Sequence, residues 1–183
     1  RDFSNASSLL MRLELEGIDV GERWDELATL AEARSDDGCL VFADLHYMLA
    51  LAGDNREEAA AHMMARVAKD AEGHDEMALI MDNPGVSAAE GLAAFGAAQY
   101  STAFDKMRAA HPRFQMMGGS HAQRDVVERV TIEAGLRAGR LDATETLLRG
   151  RIAQRDGAID AFADKRLRMI ADAREIGATF AAE

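Results

Sequence analysis

Helix-length stretches of this chain break at Gly53-Asp54, at Gln99-Tyr100 and at Gly139-Arg140-Leu141, so a helical hairpin recurs every 40 to 46 residues. Recurrence at such a period marks stacked helix pairs, because one hairpin cannot bury its apolar face alone. The hairpins are expected at about residues 39–72, 87–112 and 120–156, with a terminal capping helix over 158–181. Apolar positions follow helical spacing. Val41, Leu45, Met48, Leu49 and Ala52 share one face, and Val127, Val130, Ala134 and Ala138 line another. Alanine-rich stretches (Ala59 to Ala61; Ala93, Ala94, Ala97 and Ala98) suit close approach between helices.

Two helices precede these hairpins, one near Phe3–Leu15 and one from about Gly21 to Ala33 that carries Trp24. Asp75–Asp82 reads as a short helix stopped by Asn83-Pro84-Gly85, a turn sequence that disfavours the helical region before the proline. Asn55 with Glu58, Ser87 with Glu90, and Asp142 with Glu145 have the spacing of capping boxes at helix starts. After Gly157 the last helix carries an apolar stripe of Ile159, Phe162, Leu167, Ile170 and Phe180. Aromatic residues make up 5% of the chain and there are two prolines, while Ala, Leu, Met, Glu and Arg abound. Sheets favour the β-branched and aromatic residues that are scarce here. The expected fold is all-α: one domain over 1–183, built as an α-α superhelix of antiparallel helix pairs.

Charge is unevenly placed. Residues 1–91 hold 20 acids and 7 bases, residues 92–183 hold 12 acids and 14 bases, and the whole chain carries −11. An acidic first half opposes binding to phosphate backbones or anionic lipid, which must be neutralised by Lys and Arg. In the second half Arg124, Arg129, Arg137, Arg140, Arg149, Arg151 and Arg155 interleave with Asp125, Glu128, Glu133, Asp142 and Glu145, the pattern of a solvated, ion-paired helix surface. The single cysteine, Cys39, leaves no intrachain disulfide framework and suits a reducing compartment. No apolar run has the form of a signal peptide or the length of a membrane span, so Asn5-Ala6-Ser7 carries no glycosylation argument. A cytoplasmic location is expected. The chain begins at Arg1 rather than Met, which leads us to expect an upstream portion.

Two hairpins are similar to degenerate tetratricopeptide repeats. Gly91 and Ala103 stand twelve apart, where that repeat places small residues at its helix crossing, followed by Phe104 and Pro112. In the later pair Gly139 opens the turn, and Thr144 sits where the repeat usually has Ala. Further stretches occur in order: Ala43-Asp44-Leu45-His46-Tyr47-Met48-Leu49-Ala50-Leu51-Ala52-Gly53, Tyr100-Ser101-Thr102-Ala103, Gly118-Gly119-Ser120-His121-Ala122-Gln123-Arg124-Asp125, and Ala138-Gly139-Arg140-Leu141. With them the chain closely resembles the tetratricopeptide repeat protein 38 family over about residues 20–156. The resemblance implies an α-α superhelix serving as an interaction scaffold, and it brings no assigned activity, substrate or cofactor. Proteins of that family are longer, in line with an upstream portion.

One segment asks for more than packing. Gly118-Gly119 is followed by Ser120, His121, Gln123, Arg124 and Asp125. Glycines open conformations closed to other residues, and Ser120 is a natural helix N-cap whose neighbouring amides, with Arg124 one turn on, are suited to an anion. The alternative is that Ser120 only caps and that the polar side chains satisfy a neighbouring repeat. The lysine and spacing of a nucleotide loop are absent. Asp44 and His46 form a second cluster on an otherwise apolar helix. If stacking brought His46 and His121 together, with Asp44 or Asp125 orienting a ring, an acid–base pair or metal site would result; otherwise His46 is a hydrogen-bonded core residue. No pair of histidines stands three or four apart, and adjacency of Ser120 to His121 defeats a serine triad. Cys39 with His46 is a remote thiol–imidazole pairing, and His62, His74 and His111 read as surface or turn residues. The methionines read as core filler or as a peptide groove.

The leading expectation is a non-enzymatic scaffold for an unknown protein or peptide, with no cofactor, nucleic acid or membrane. The rival is an enzyme or small-ligand or anion binder using Asp44, His46, Gly119, Ser120, His121, Gln123, Arg124 and Asp125. A homodimer through the C-terminal helix is a further expectation about partners.

Overall fold

The computed structural model describes residues 2–180, and side chains as far as residue 176. Among the described residues ten α-helices follow one another: α1 Asp2–Leu15, α2 Arg23–Glu32, α3 Val41–Gly53, α4 Glu57–Asp70, α5 Glu76–Ile80, α6 Ser87–Gly96, α7 Tyr100–Ala110, α8 His121–Arg137, α9 Leu141–Ala153 and α10 Ala161–Phe180. A kinked segment, Met81–Val86, joins α5 to α6 and is broken by extended Asn83 (φ/ψ −149°/104°) before the cis bond to Pro84, as the turn sequence there led one to expect; a tight helical turn, His111–Met117, follows α7. No strand occurs among the described residues, so the fold is all-α. The chain divides into two compact units, Arg1–Ala134 and Gly135–Glu183, with the division inside α8.

In the first unit α3 is the central rod. Its buried residues include Val41, Leu45, Met48, Leu49, Ala50 and Leu51, and it packs against α1, α2, α4 and α6. Burying a Leu, Val or Met side chain contributes roughly 1.5–3 kcal/mol, which makes this rod the main apolar anchor. α3 and α4 run antiparallel: Asp44 meets Arg66 at one end and Asp54 meets Arg56 at the other. α6 and α7 do likewise, since Glu90 pairs with Lys106 at 2.6 Å while Phe95 meets Tyr100 edge to face at 5.5 Å. Between those points the helices nearly touch. A Cβ on Gly91 would lie 2.3 Å from Cγ of Met107 and 3.2 Å from the Ala103 carbonyl. α3 and α6 also approach closely, a Cβ on Gly96 falling 2.7 Å from that of Ala52.

One linker recurs three times. Asn55, Ala98 and Gly139 take left-handed backbone angles with φ of 54°, 56° and 69°. Around each, the next amide bonds five residues back, Arg56 to Leu51, Gln99 to Ala94 and Arg140 to Gly135. The left-handed residue itself bonds three back, Asn55 to Ala52, Ala98 to Phe95 and Gly139 to Leu136. This double bond closes a helix around a left-handed residue by satisfying its last carbonyls. The residue that starts the following helix has nearly constant angles as well: φ/ψ of −80°/69° at Arg56, −85°/63° at Gln99 and −82°/53° at Arg140.

Those linkers correct the expected caps. Asn55 closes α3 rather than opening α4, whose N-cap is Arg56, with no side-chain capping bond. Ser87 lies in helical geometry because the turn Met81–Val86 feeds straight into α6, and Glu90 is spent on Lys106. Asp142 sits inside the first turn of α9, where it binds Arg174 at 2.6 Å. Side-chain caps form elsewhere, Asp75 receiving the Ala78 amide and Asp160 the Ala163 amide.

In the second unit α9 and α10 are antiparallel, with Arg151 meeting Asp160 and Arg174 meeting Glu145. α10 begins at Ala161, three residues after the expected start. Its stripe is buried at Phe162 and Ile170, whereas Ile159, which precedes the helix, is exposed; the Phe180 side chain and position 181 fall outside the described residues. Arg151 overturns the expectation of a wholly solvated arginine surface. It is 1% exposed, bound to both oxygens of Asp160 and stacked 5.2 Å above the Phe162 ring, where Arg166 stacks at 4.1 Å. Arg149 keeps to the expected pattern, exposed and paired with Glu145 four residues before it.

Candidate functional site

The two polar clusters meet at Phe42, in the first turn of α3. Its ring lies 4.3 Å from that of His46, one turn on, and so close to Gly119 that a Cβ there would fall 2.5 Å from Cε2. Gly118 and Gly119 take φ of +89° and +73°, which lets the backbone pass over the ring without a side chain in the way.

His46 lies beneath α1. Its Nδ1 donates to the Phe42 carbonyl at 2.8 Å, which leaves Nε2 to accept the Ser8 hydroxyl at 3.2 Å. Burial, opposed by the Phe42 carbonyl and aided by Arg12, lowers its pKa to about 4, so the ring is neutral. The connectivity is that of a hydroxyl nucleophile, a base and an orienting acceptor. Both partners are buried, however, Ser8 at 3% and His46 at 2% exposure, so no substrate carbonyl reaches the hydroxyl while α1 is seated.

Asp44 turns to a different neighbour. Both its oxygens accept from Arg66, at 2.7 and 2.9 Å, and Arg66 also binds Asp70 and the Ser35 carbonyl. Burial raises the Asp44 pKa against the opposing hydrogen bond from Arg66. This ion pair ties α3 to α4 and to the loop after α2. It does not orient His46.

At the start of α8 the polar side chains close on one another. The Ser120 amide donates to Gln123 Oε1 at 2.9 Å and the Gln123 amide to Ser120 Oγ at 3.4 Å, a reciprocal capping box. Arg124 folds back onto the Gly118 and Gly119 carbonyls. Asp125, 7% exposed, accepts from Arg129 at 2.7 Å and stands 3.7 Å from Arg12, whose guanidinium also donates to the Ala122 carbonyl. His121 is exposed, whereas His46 is buried. Among the described residues no group of three His, Cys, Asp or Glu side chains is placed to hold a metal ion. Cys39 is exposed, and its thiol donates to the Asp37 carbonyl. His62 is exposed and pairs with Asp36; His111, less open than expected, pairs with Glu128 at 3.1 Å and stacks edge-on to Phe114.

The sequence clusters therefore adjoin through residues that sequence reasoning passed over: Ser8 and Arg12 on α1, and Phe42. Only Phe42 carried a signal, as the aromatic residue one turn before His46. No protein-family model matches the chain, and no solved structure is significantly similar to it.

Proposed function

We propose that this chain is a helical-repeat scaffold of the tetratricopeptide kind that binds a protein or peptide. The observation that carries the reading is the threefold recurrence of one helix–linker–helix geometry at Asn55, Ala98 and Gly139. Support comes from the close approach of α3 and α6 at Ala52 and Gly96, and of α6 and α7 at Gly91, where repeat stacking calls for small residues. The resemblance to the tetratricopeptide repeat protein 38 family points the same way, as does a first half too acidic for nucleic acid or anionic lipid. Among the described residues no helix is long and apolar enough to cross a membrane. A cytoplasmic setting belongs to this reading.

The rival, a small-ligand or anion site at residues 118–125, loses ground because its donors serve one another: the Ser120 amide faces Gln123 and Arg124 faces backbone carbonyls. Self-association is a second reading of the partner, favoured by exposed Met169 and Ile176 on α10. The test has two arms. In-cell crosslinking of the intact protein, followed by titration calorimetry with the purified partner, is expected to give a saturable complex. Absence of any stoichiometric partner, with amide shifts at Ser120–Asp125 on adding a metabolite extract, would replace the scaffold with the ligand site.

A further inference from the structure

The step Asp-Gly occurs twice in the chain, at Asp37-Gly38 and at Asp156-Gly157, each time in an exposed loop between helices. A carboxyl group meets the next backbone nitrogen most readily at such a step, because glycine has no Cβ to shield that nitrogen. Attack forms a C–N bond to the side-chain carboxyl carbon, and the hydroxyl of the protonated acid leaves with the amide proton as water. Water then opens the five-membered imide. Addition at the former backbone carbonyl routes the main chain through the side-chain methylene, which gives an isoaspartyl bond and a free α-carboxylate.

The two sites differ at the attacking nitrogen. The Gly157 amide donates to the Ile152 carbonyl at 3.0 Å and closes α9 around Asp156, whose φ is 54°. That nitrogen reaches the carboxyl only after the helix end opens. The Gly38 amide has no hydrogen-bond acceptor among the described residues, and residues 36–40 are all exposed.

We infer that Asp37 is a modification site, converted in the folded chain to isoaspartate ahead of Asp156, whose new carboxylate is then a substrate for enzymatic methylation. In that second reaction a methyl group moves from a sulfonium donor to a carboxylate oxygen, leaving a thioether and an ester. The carboxylate arises from the Asp37 carbonyl, which in the unmodified chain accepts from the exposed Cys39 thiol at 3.4 Å.

The effect on the fold follows from the anchors of the loop. Ahead of Asp37, the Ser35 carbonyl accepts from Arg66 Nε at 2.9 Å. Just after it, Gly38 lies against the same group: a Cβ there would fall 3.3 Å from Asp70 Oδ2 and 3.7 Å from Arg66 Nη1. An extra main-chain methylene lengthens the path between these anchors, so one of them must shift. Leu40 follows directly, and its carbonyl accepts the Ala43 and Asp44 amides that start α3, at 2.9 and 3.1 Å. Isoaspartate at position 37 therefore loosens the first turn of α3.

The test ages the intact chain at mildly acidic pH and body temperature. It is then labelled with an isoaspartyl methyltransferase and S-adenosylmethionine, and the label is located by peptide mapping. Asp37 should carry about fivefold more label than Asp156, the difference that one engaged amide makes. Ageing in urea should label the two alike, since only the fold separates them. Asp37→Glu, which would have to close a six-membered imide, should remove the first label and leave the second. In the isoaspartyl fraction, separated by chromatography, hydrogen exchange at Ala43 and Asp44 should be about tenfold less protected than in unaged protein, with α6 unchanged. No label at Asp37, a label there no higher than at Asp156, a preference that persists in urea, or unchanged protection of Ala43 and Asp44 would overturn the inference.

Discussion

A methyl group at Gly119 would sit 2.5–2.6 Å from two carbons of the Phe42 ring, on a backbone with φ of +73°. Left-handed strain costs about 1–2 kcal/mol for a non-glycine residue and overpacking a fitted contact about 1–3 kcal/mol. Gly119→Ala is therefore expected to lose about 3 kcal/mol. Gly139→Ala, at a similar φ with nothing within 4 Å, should lose about 1 kcal/mol from the backbone alone. Urea midpoints at an unchanged slope check the difference; equal losses would mean that Phe42 yields. The glycine pair was legible because it breaks a helical pattern. Its purpose was not, since Phe42 lies more than seventy residues away in sequence and no local spacing joins them. Arg151 was misread for a related reason. Helical spacing places an arginine beside acids on a surface, but only tertiary structure reveals an aromatic ring beneath it and a carboxylate from the residue just ahead of the next helix.

Three helical hairpins each turn on a single left-handed residue, and the three positions differ in what that costs. Gly139 bears no Cβ, and Asn tolerates the conformation at Asn55, but Ala98 does not. Ala98→Gly should relieve strain at the α6–α7 turn and stabilise the chain by about 0.5–1 kcal/mol after the entropy of the freer unfolded chain is charged against it. That corresponds to a rise in Tm of about 1–4 °C for a chain of this size. Asn55→Gly should gain less. A fall in Tm for Ala98→Gly would show that the alanine methyl has a packing role outweighing its strain. At this scale the hairpin breaks were readable to within about two residues, because glycine and the helical period mark where rods end. The caps were not. Asn and Asp favour both ends of helices, and their side chains do not say whether the backbone turns left-handed to close one helix or extends to open the next.

At the scale of the molecule the remaining question is whether α10 meets another copy of the chain. Its inner face is occupied within the second unit: Phe162 and Ile170 are buried, and Arg174 reaches Asp142 and Glu145 on α9. Met169 and Ile176, seven and fourteen residues after Phe162 and so along the edge of that face, are 41% and 60% exposed, with Ala173 between them. Such a stripe favours an antiparallel second helix, in which each Met169 covers the partner's Ile176. The area is small against the roughly 1,200 Å² of a specific, stable interface, so association through it alone should be weak and concentration-dependent. Sedimentation velocity across a hundredfold range of concentration should show a monomer–dimer equilibrium. Combining Met169→Glu with Ile176→Glu should leave a monomer whose helix content is unchanged, because both side chains already face water. A wild-type chain that stays monomeric at the highest concentration, or a double variant that still dimerises, would move self-association away from α10 and leave a different protein or peptide as the scaffold's partner.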